Sequence, residues 1–325
     1  MLRMSRQARV TLCAAAFVFR NSMPCFHPLT GWRSQVTNPS GKRGITFKAS
    51  EGFIDMPVTV PCGQCIGCRI DRVGHWSTRI VQEGRFHERK CFLTLTYSPD
   101  KLPENGSLSK RDFQLFMKRL RAAYGSGLRF FACGEYGESM SRPHYHAIIF
   151  GCDFPDRKKI STSGDHPLYR SETLDKLWGF GHAWIGSVTE DSARYVASYV
   201  IKKINGEAAA AHYTRINPGT GEIFCLAPEF VLMSRRPGIG SDYYENFKTD
   251  IYPSDFVITS RGAKPRPVPK FYDRRLEKDD PKLLEKLKAR RVRKASRRKA
   301  DHTPERLAVR ETVARARLSL KRRFI

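Results

Sequence analysis

Residues 91–97, CFLTLTY, alternate around β-branched and aromatic side chains and stop at Ser98-Pro99, the behaviour of a strand rather than a helix. Leu128–Glu135 reads the same way, and so does His144–Phe150, which is entered after Pro143 and left at Gly151. Between the first two runs, Ser109 is placed to cap a helix with Phe113, Phe116, Met117 and Leu120 on one face, ended by Tyr124-Gly125. Further on, the pattern predicts a short helix over Glu172–Trp178 and a strand over His182–Val188. A helix follows from about Glu190 to Ile204, closed by Asn205-Gly206. Strands joined by hairpins, with helices interspersed, restrict this region to an α+β fold with a mainly antiparallel sheet and helices packed on it.

The flanks differ in composition. Residues 1–22 carry Arg3, Arg6 and Arg9 before an apolar run from Leu12 to Phe19. Arg20 and the lack of a small-residue cleavage site set a signal peptide aside. A poorly structured leader is expected instead, with Met23 as a second start. Residues 23–90 form a loop-rich, cysteine-containing segment rich in Pro and Gly, with strand candidates at Gly44–Lys48 and Val58–Val60. Ile70–Arg89 has helical character, with Trp76, Ile80 and Val81 as its buried stripe. Residues 91–260 hold the organised unit, and residues 261–325 are a basic C-terminal tail with 24 Lys/Arg against 8 Asp/Glu. Such a block repels itself and buries little, so a solvated helix or a disordered arm is expected.

The net charge of +26 makes a polyanion the expected partner, because counterions released from phosphates drive association. No run of eighteen apolar residues exists, so no membrane span is expected. Nine cysteines, an odd number in a chain of 325 residues, argue for reduced thiols in a cytoplasm.

Three groups of residues carry chemistry. Side chains two apart on a strand share a face, so His144 and His146 project together. Two imidazoles so placed can share a divalent ion if a third ligand comes from a neighbouring strand. A hairpin would bring in Glu135, with Glu138 in reserve. Hydrogen-bonded histidines on a half-buried sheet are the other reading. Ile148 stands where a third histidine of a nucleotide hydrolase would be. In Ala193–Lys203, Tyr195, Tyr199 and Lys202 form one helical stripe, beside a packing stripe of Val196, Val200 and Ile204. A phenol becomes a competent nucleophile when a metal or lysine favours its anion; two interfacial tyrosines are the plainer alternative. Cys62, Cys65 and Cys68 have C-x₂-C-x₂-C spacing, and Cys25 or His27 could complete a zinc site. Packed free thiols and an iron–sulfur cluster are the other possibilities.

Taken in order, CFLTLTY, PHYH and YVASYVIKK resemble HUH-type replication initiators with two tyrosines. More narrowly, VPCGQCIGC, FLTLTY, ACGEYGE and RPHYHAIIFG resemble the replication-associated proteins of the gokushovirus branch of the Microviridae. The resemblance covers about residues 23–206, and it implies an HUH endonuclease-like sheet for residues 91–260. It implies that His144, His146 and Glu135 hold Mg²⁺ or Mn²⁺, with Tyr145 as the hydrophobe between the histidines. Tyr195 and Tyr199 would be the nucleophiles, and Lys202 or Lys203 would stabilise phosphate charge. The implied reaction nicks single-stranded or supercoiled circular DNA at a replication origin, leaving a 5′-phosphotyrosine and a 3′-OH primer. With no G-x-x-x-x-G-K-[ST] motor motif in the chain, a host helicase and polymerase are implied, in the cytoplasm of a bacterial cell. A single-tyrosine HUH transposase and a non-catalytic single-stranded DNA-binding protein are the alternatives.

Overall fold

The structure is a computed structural model and describes residues 25–39, 41–137, 141–163, 166–199, 207–217, 219–259 and 265–321. It opens with a three-stranded antiparallel sheet of β1 (Leu29–Thr37), β2 (Arg43–Thr46) and β3 (Gly52–Val60), in the order β2-β1-β3. This stretch is less loop-like than its glycines suggest. A Cβ on Gly31 would sit 2.8 Å from the Thr46 carbonyl oxygen, and one on Gly52 would sit 2.5 Å from Trp32 Cβ. These glycines admit close strand approach rather than break strands. Helix α1 (Ile66–Glu83) follows, starting earlier than its apolar stripe suggests because Cys65 is its N-cap.

The centre of the molecule is a seven-stranded, wholly antiparallel sheet. In chain order its strands and helices are β4 (Lys90–Tyr97), α2 (Lys110–Tyr124), β5 (Arg129–Tyr136), β6 (Pro143–Phe150), β7 (Lys158–Ser163), β8 (His166–Arg170), α3 (Glu172–Trp178), β9 (Gly181–Gly186) and α4 (Glu190–Ser198). Beyond α5 (Glu207–Tyr213) and the hairpin β10 (Thr214–Ile216) and β11 (Ile223–Cys225), β12 (Phe230–Met233) joins the sheet beside β5. The spatial order is β12-β5-β6-β4-β9-β8-β7, so β6 lies between β5 and β4. The short edge strands β7, β8 and β12 lack a long period-two run, which hid them from a pattern reading.

The two sheet faces bury different partners. On one face, Leu93, Leu95, Tyr145, Ala147 and Ile149 pack against Phe113, Phe116 and Leu120 of α2 and Leu174 and Trp178 of α3. Ser109 caps α2 by accepting from the Asp112 amide, as its position predicts. On the other face, Phe131, Cys133, Ile148 and Phe150 meet Val73 and Ile80 of α1 and Ala193, Val196 and Ala197 of α4.

The basic C-terminal region departs from the expected solvated arm. After α6 (Ser241–Ile251) and the short strands β13 (Val257–Ile258) and β14 (Pro265–Arg266), it folds as α7 (Lys270–Asp279), α8 (Pro281–Ser296) and α9 (Pro304–Lys321). Tyr272, Leu276, Leu284 and Leu287 share a core with Tyr243, Tyr244, Ile251 and Tyr252. The charge count concealed these few apolar residues at helical spacing, which suffice for one buried stripe per helix. Arg291 reaches both Asp255 and Asp273, so part of the basic surplus is paired. Among the described residues, no helix is long and apolar enough to cross a membrane.

Candidate active site

The alternation of β6 places its residues on opposite faces, and this builds the site. Tyr145 points into the α2 face, where its hydroxyl donates to the Ser109 carbonyl at 2.8 Å and lies 2.7 Å from the Tyr97 hydroxyl. Burial pushes the Tyr145 phenol up to about 12, so it serves as a neutral anchor. His144 and His146 therefore point to the α1/α4 face. Strand pairing sets Glu135 of β5 opposite His144 and Cys133 opposite His146. The hairpin expectation for Glu135 is met in register, while Glu138 lies outside the described residues.

Glu135 Oε1 is 2.8 Å from His144 Nε2 and 3.0 Å from His146 Nε2. Glu135 and His146 are buried at 3% and 5% exposure, so this carboxylate and this imidazole are largely withdrawn from water. The far ring nitrogens are tied as well: His144 Nδ1 bonds the Arg142 carbonyl at 3.1 Å, and His146 Nδ1 bonds the Thr94 hydroxyl at 3.1 Å. The carbonyl requires a proton on His144 Nδ1, so a neutral ring turns its Nε2 lone pair toward the carboxylate. Two acceptors at 2.8 Å repel unless positive charge lies on or between them. A divalent cation meets that need, since adjacent ligands on an octahedral ion with bonds of about 2.1 Å stand about 3.0 Å apart. The ligand atoms of Glu135, His144 and His146 lie within 4.8 Å of one another, so the three residues fit one ion.

Helix α4 brings the phenols to this group. Its start is well defined: the Thr189 hydroxyl accepts from the Ser192 amide at 3.1 Å, and the Ser192 hydroxyl accepts from the Thr189 amide at 2.8 Å. Tyr195 Oη lies 3.3 Å from His146 Nε2. Tyr199 closes the helix in right-handed conformation and stacks on the His146 ring at 5.3 Å between centroids. The two phenol rings meet edge to face at 5.0 Å. They are not equally placed, since Tyr195 is half-buried while Tyr199 is 3% exposed. Burial, then the nearby Glu135 charge, then Tyr195 push the Tyr199 phenol far above its ordinary value, so it is protonated at neutral pH. Lys202 and Lys203 lie outside the described residues.

Two contributors escape a motif reading. Thr94 pairs with His146 across β4 and β6, and Phe92 stacks on His146 at 5.8 Å. Their signal was the alternation of CFLTLTY, which sets Phe92, Thr94 and Thr96 on one face, but only the register shows that this face is the histidine face.

The cysteines also converge. The sulfurs of Cys25, Cys62, Cys65 and Cys68 lie within 4.8 Å of one another. His27, the alternative fourth partner, turns away and bonds Glu311 of α9 at 2.7 Å.

The fold and site thus define an α+β protein with a two-histidine, one-carboxylate group on a central strand, roofed by a helix that carries two tyrosines. Comparison with known proteins places it further. The family model for the replication-associated protein ORF2 matches residues 90–204. The chain is 32% identical over 299 residues to the replication-associated protein ORF2 of Spiroplasma virus 4, covering 85% of this chain and 88% of that one. It is 31% identical over 256 residues to the replication-associated protein VP4 of Bdellovibrio phage phiMH2K, covering 74% and 76%. It is also 34% identical over 153 residues to the replication-associated protein ORF4 of Chlamydia phage 1, covering 44% and 38%. No solved structure matches significantly. The chain belongs to the replication-associated protein family of Microviridae phages.

Proposed function

We propose that this chain is an HUH-type endonuclease that nicks single-stranded DNA at a phage replication origin and rejoins the product circle in rolling-circle replication. One observation carries this reading: two phenols and the Glu135, His144 and His146 group meet in one place, with Tyr195 Oη 3.3 Å from His146 Nε2. A bound Mg²⁺ or Mn²⁺ would supply Lewis-acid neutralisation of charge at the scissile phosphate. The side chains do the rest. A tyrosine oxygen forms a bond to phosphorus, the bond from phosphorus to the 3′ oxygen breaks, and the phenol proton is transferred in net terms to the departing 3′-hydroxyl. The products are a 5′-phosphotyrosine and a 3′-OH primer. In the reverse step a 3′-hydroxyl attacks the phosphotyrosine and frees the phenol, so joining needs no ATP.

Tyr195, nearer solvent, takes the first strand. Tyr199 waits beneath it and acts at the second transfer, when Tyr195 is already esterified. Lys202 and Lys203 follow in sequence and would meet phosphate charge. The surplus of +26 supports a DNA partner. Duplex opening and synthesis fall to a helicase and a polymerase of the host cell.

The test is incubation of the purified chain with circular single-stranded DNA and Mn²⁺, followed by denaturing electrophoresis. A protein–DNA adduct is expected that EDTA prevents. Tyr195→Phe and Tyr199→Phe should each retain an adduct, with the larger loss of rate in Tyr195→Phe, and the double variant should form none. Binding without any adduct would leave only a DNA-binding protein. Attachment solely at one tyrosine, with the other dispensable for circle release, would point to a single-tyrosine transposase.

A further inference from the structure

The second convergent group lies where α1 begins, apart from the histidine site. Cys62 and Cys65 flank a turn in which Gly63 has φ +74°, a left-handed conformation that suits glycine. The turn ends at Cys65, the N-cap of α1, and Cys68 lies within the first helical turn. Cys25 arrives from the other side of β1 in sequence. The four sulfurs lie within 4.8 Å of one another, with Cys65 and Cys25 at 3.9 Å. Sulfurs at the corners of a tetrahedron around zinc, with bonds of about 2.3 Å, are separated by about 3.8 Å. Thiolates of a multi-iron cluster bind different irons and so stand farther apart.

The backbone is also arranged for sulfur that carries charge. The Cys62 amide donates to Cys25 Sγ at 3.1 Å, the Cys65 amide to Cys62 Sγ at 3.3 Å, and the Phe26 amide to Cys65 Sγ at 3.3 Å. Amide donors of this kind orient thiolate ligands around an ion and offset their charge. Packed neutral thiols have no need of them. Arg72 holds the turn by donating to the Gly63 carbonyl at 3.1 Å.

We propose that Cys25, Cys62, Cys65 and Cys68 bind one structural zinc ion, and that this ion forms the seat on which α9 docks. Leu307 and Ala314 of α9 are buried in one apolar cluster with Phe26 and Cys65. The His27–Glu311 contact at 2.7 Å closes the rim. The zinc would thereby join three distant segments of the chain: the strand entering β1, the N-terminus of α1 and the last described helix.

Metal analysis of the purified full-length chain tests this without reference to nicking. One zinc per chain is expected, kept by the His144→Ala/His146→Ala double variant and lost by Cys65→Ser/Cys68→Ser. Because the cysteine variant could misfold, Co²⁺ exchange into the wild-type chain provides a second reading. The intense ultraviolet thiolate-to-cobalt band and the visible bands of tetrahedral Co²⁺ are expected. Removing the ion with a chelator should expose the four thiols to Ellman's reagent and speed amide exchange in α9. Wild-type protein that lacks zinc, gives no cobalt–thiolate band and shows four freely reactive thiols while folded would overturn the proposal. So would zinc loss that leaves exchange in α9 unchanged, because α9 would then dock independently of the ion.

Discussion

At the scale of single residues, the histidine group depends on what holds each ring from behind. His144 is held by a backbone carbonyl that any residue at position 142 would offer, whereas His146 depends on the Thr94 hydroxyl at 3.1 Å. Losing such an outer partner typically costs about 10- to 100-fold in metal affinity or activity. Thr94→Val keeps the branched shape a strand favours and removes only the hydroxyl. We expect it to raise the Mn²⁺ concentration needed for half-maximal nicking by about that factor, with little change in thermal unfolding. An unchanged Mn²⁺ midpoint would show that His146 needs no help from Thr94.

At the scale of elements, the face bearing the site is built by α1 and α4 lying together on the sheet. Glu83, the last residue of α1, fastens that helix to β5. Its buried carboxylate pairs with Arg129, accepts from the Gly240 amide at 2.6 Å and has His87 Nε2 at 3.4 Å. Burial pushes Glu83 up, but His87, Arg129 and the Gly240 amide together outweigh it and leave the group below its ordinary value of 4.5. A carboxyl depressed on folding contributes stability that is complete above the unfolded value and lost as pH falls through the folded one. Glu83→Gln should therefore destabilise the chain by about 3 kcal/mol at pH 7, since it strands a largely buried arginine. The gap to wild type in urea unfolding should shrink as pH drops below 4.5. Equal midpoints at pH 7 would rule out this tie as a stabilising one.

At the scale of the whole molecule, the basic C-terminal region is both structure and surface. Tyr272 of α7 donates to Gln82 of α1 at 2.6 Å, and the Arg79 guanidinium lies between the rings of Trp76 and Phe271 at 4.1 and 3.9 Å. Arg266 pairs with the buried Glu190 in the first turn of α4. Deleting residues 261–325 would strip these partners and unsettle the tyrosine helix, so truncation cannot isolate the role of charge. Arg293, Lys294 and Arg297 are exposed on and just beyond α8 and provide a cleaner probe. Changing all three to Gln should leave unfolding unchanged and weaken single-stranded DNA binding. The log K against log[salt] slope should flatten by about 0.7 for each phosphate no longer neutralised, about 2 in all. A slope equal to wild type would place the DNA path elsewhere.

Much of this protein is local and could be read from the chain alone. Alternation at residues 91–97 and 144–150 specified the two central strands and the shared face of His144 and His146, because the side-chain period of a strand is a property of the backbone. The Ser109 cap and the helical spacing of Tyr195 and Tyr199 are equally local. Tertiary structure decided what depends on register and on distant segments meeting. It selected Glu135 by pairing it with His144, set Thr94 behind His146, and buried Tyr199 more deeply than Tyr195. It also brought Cys25 rather than His27 to the other cysteines, and gave the basic C-terminal region a core across from α6. Periodicity tells which way a side chain points, but not which strand, helix or chain end will be there to meet it; that depends on burying every apolar face at once.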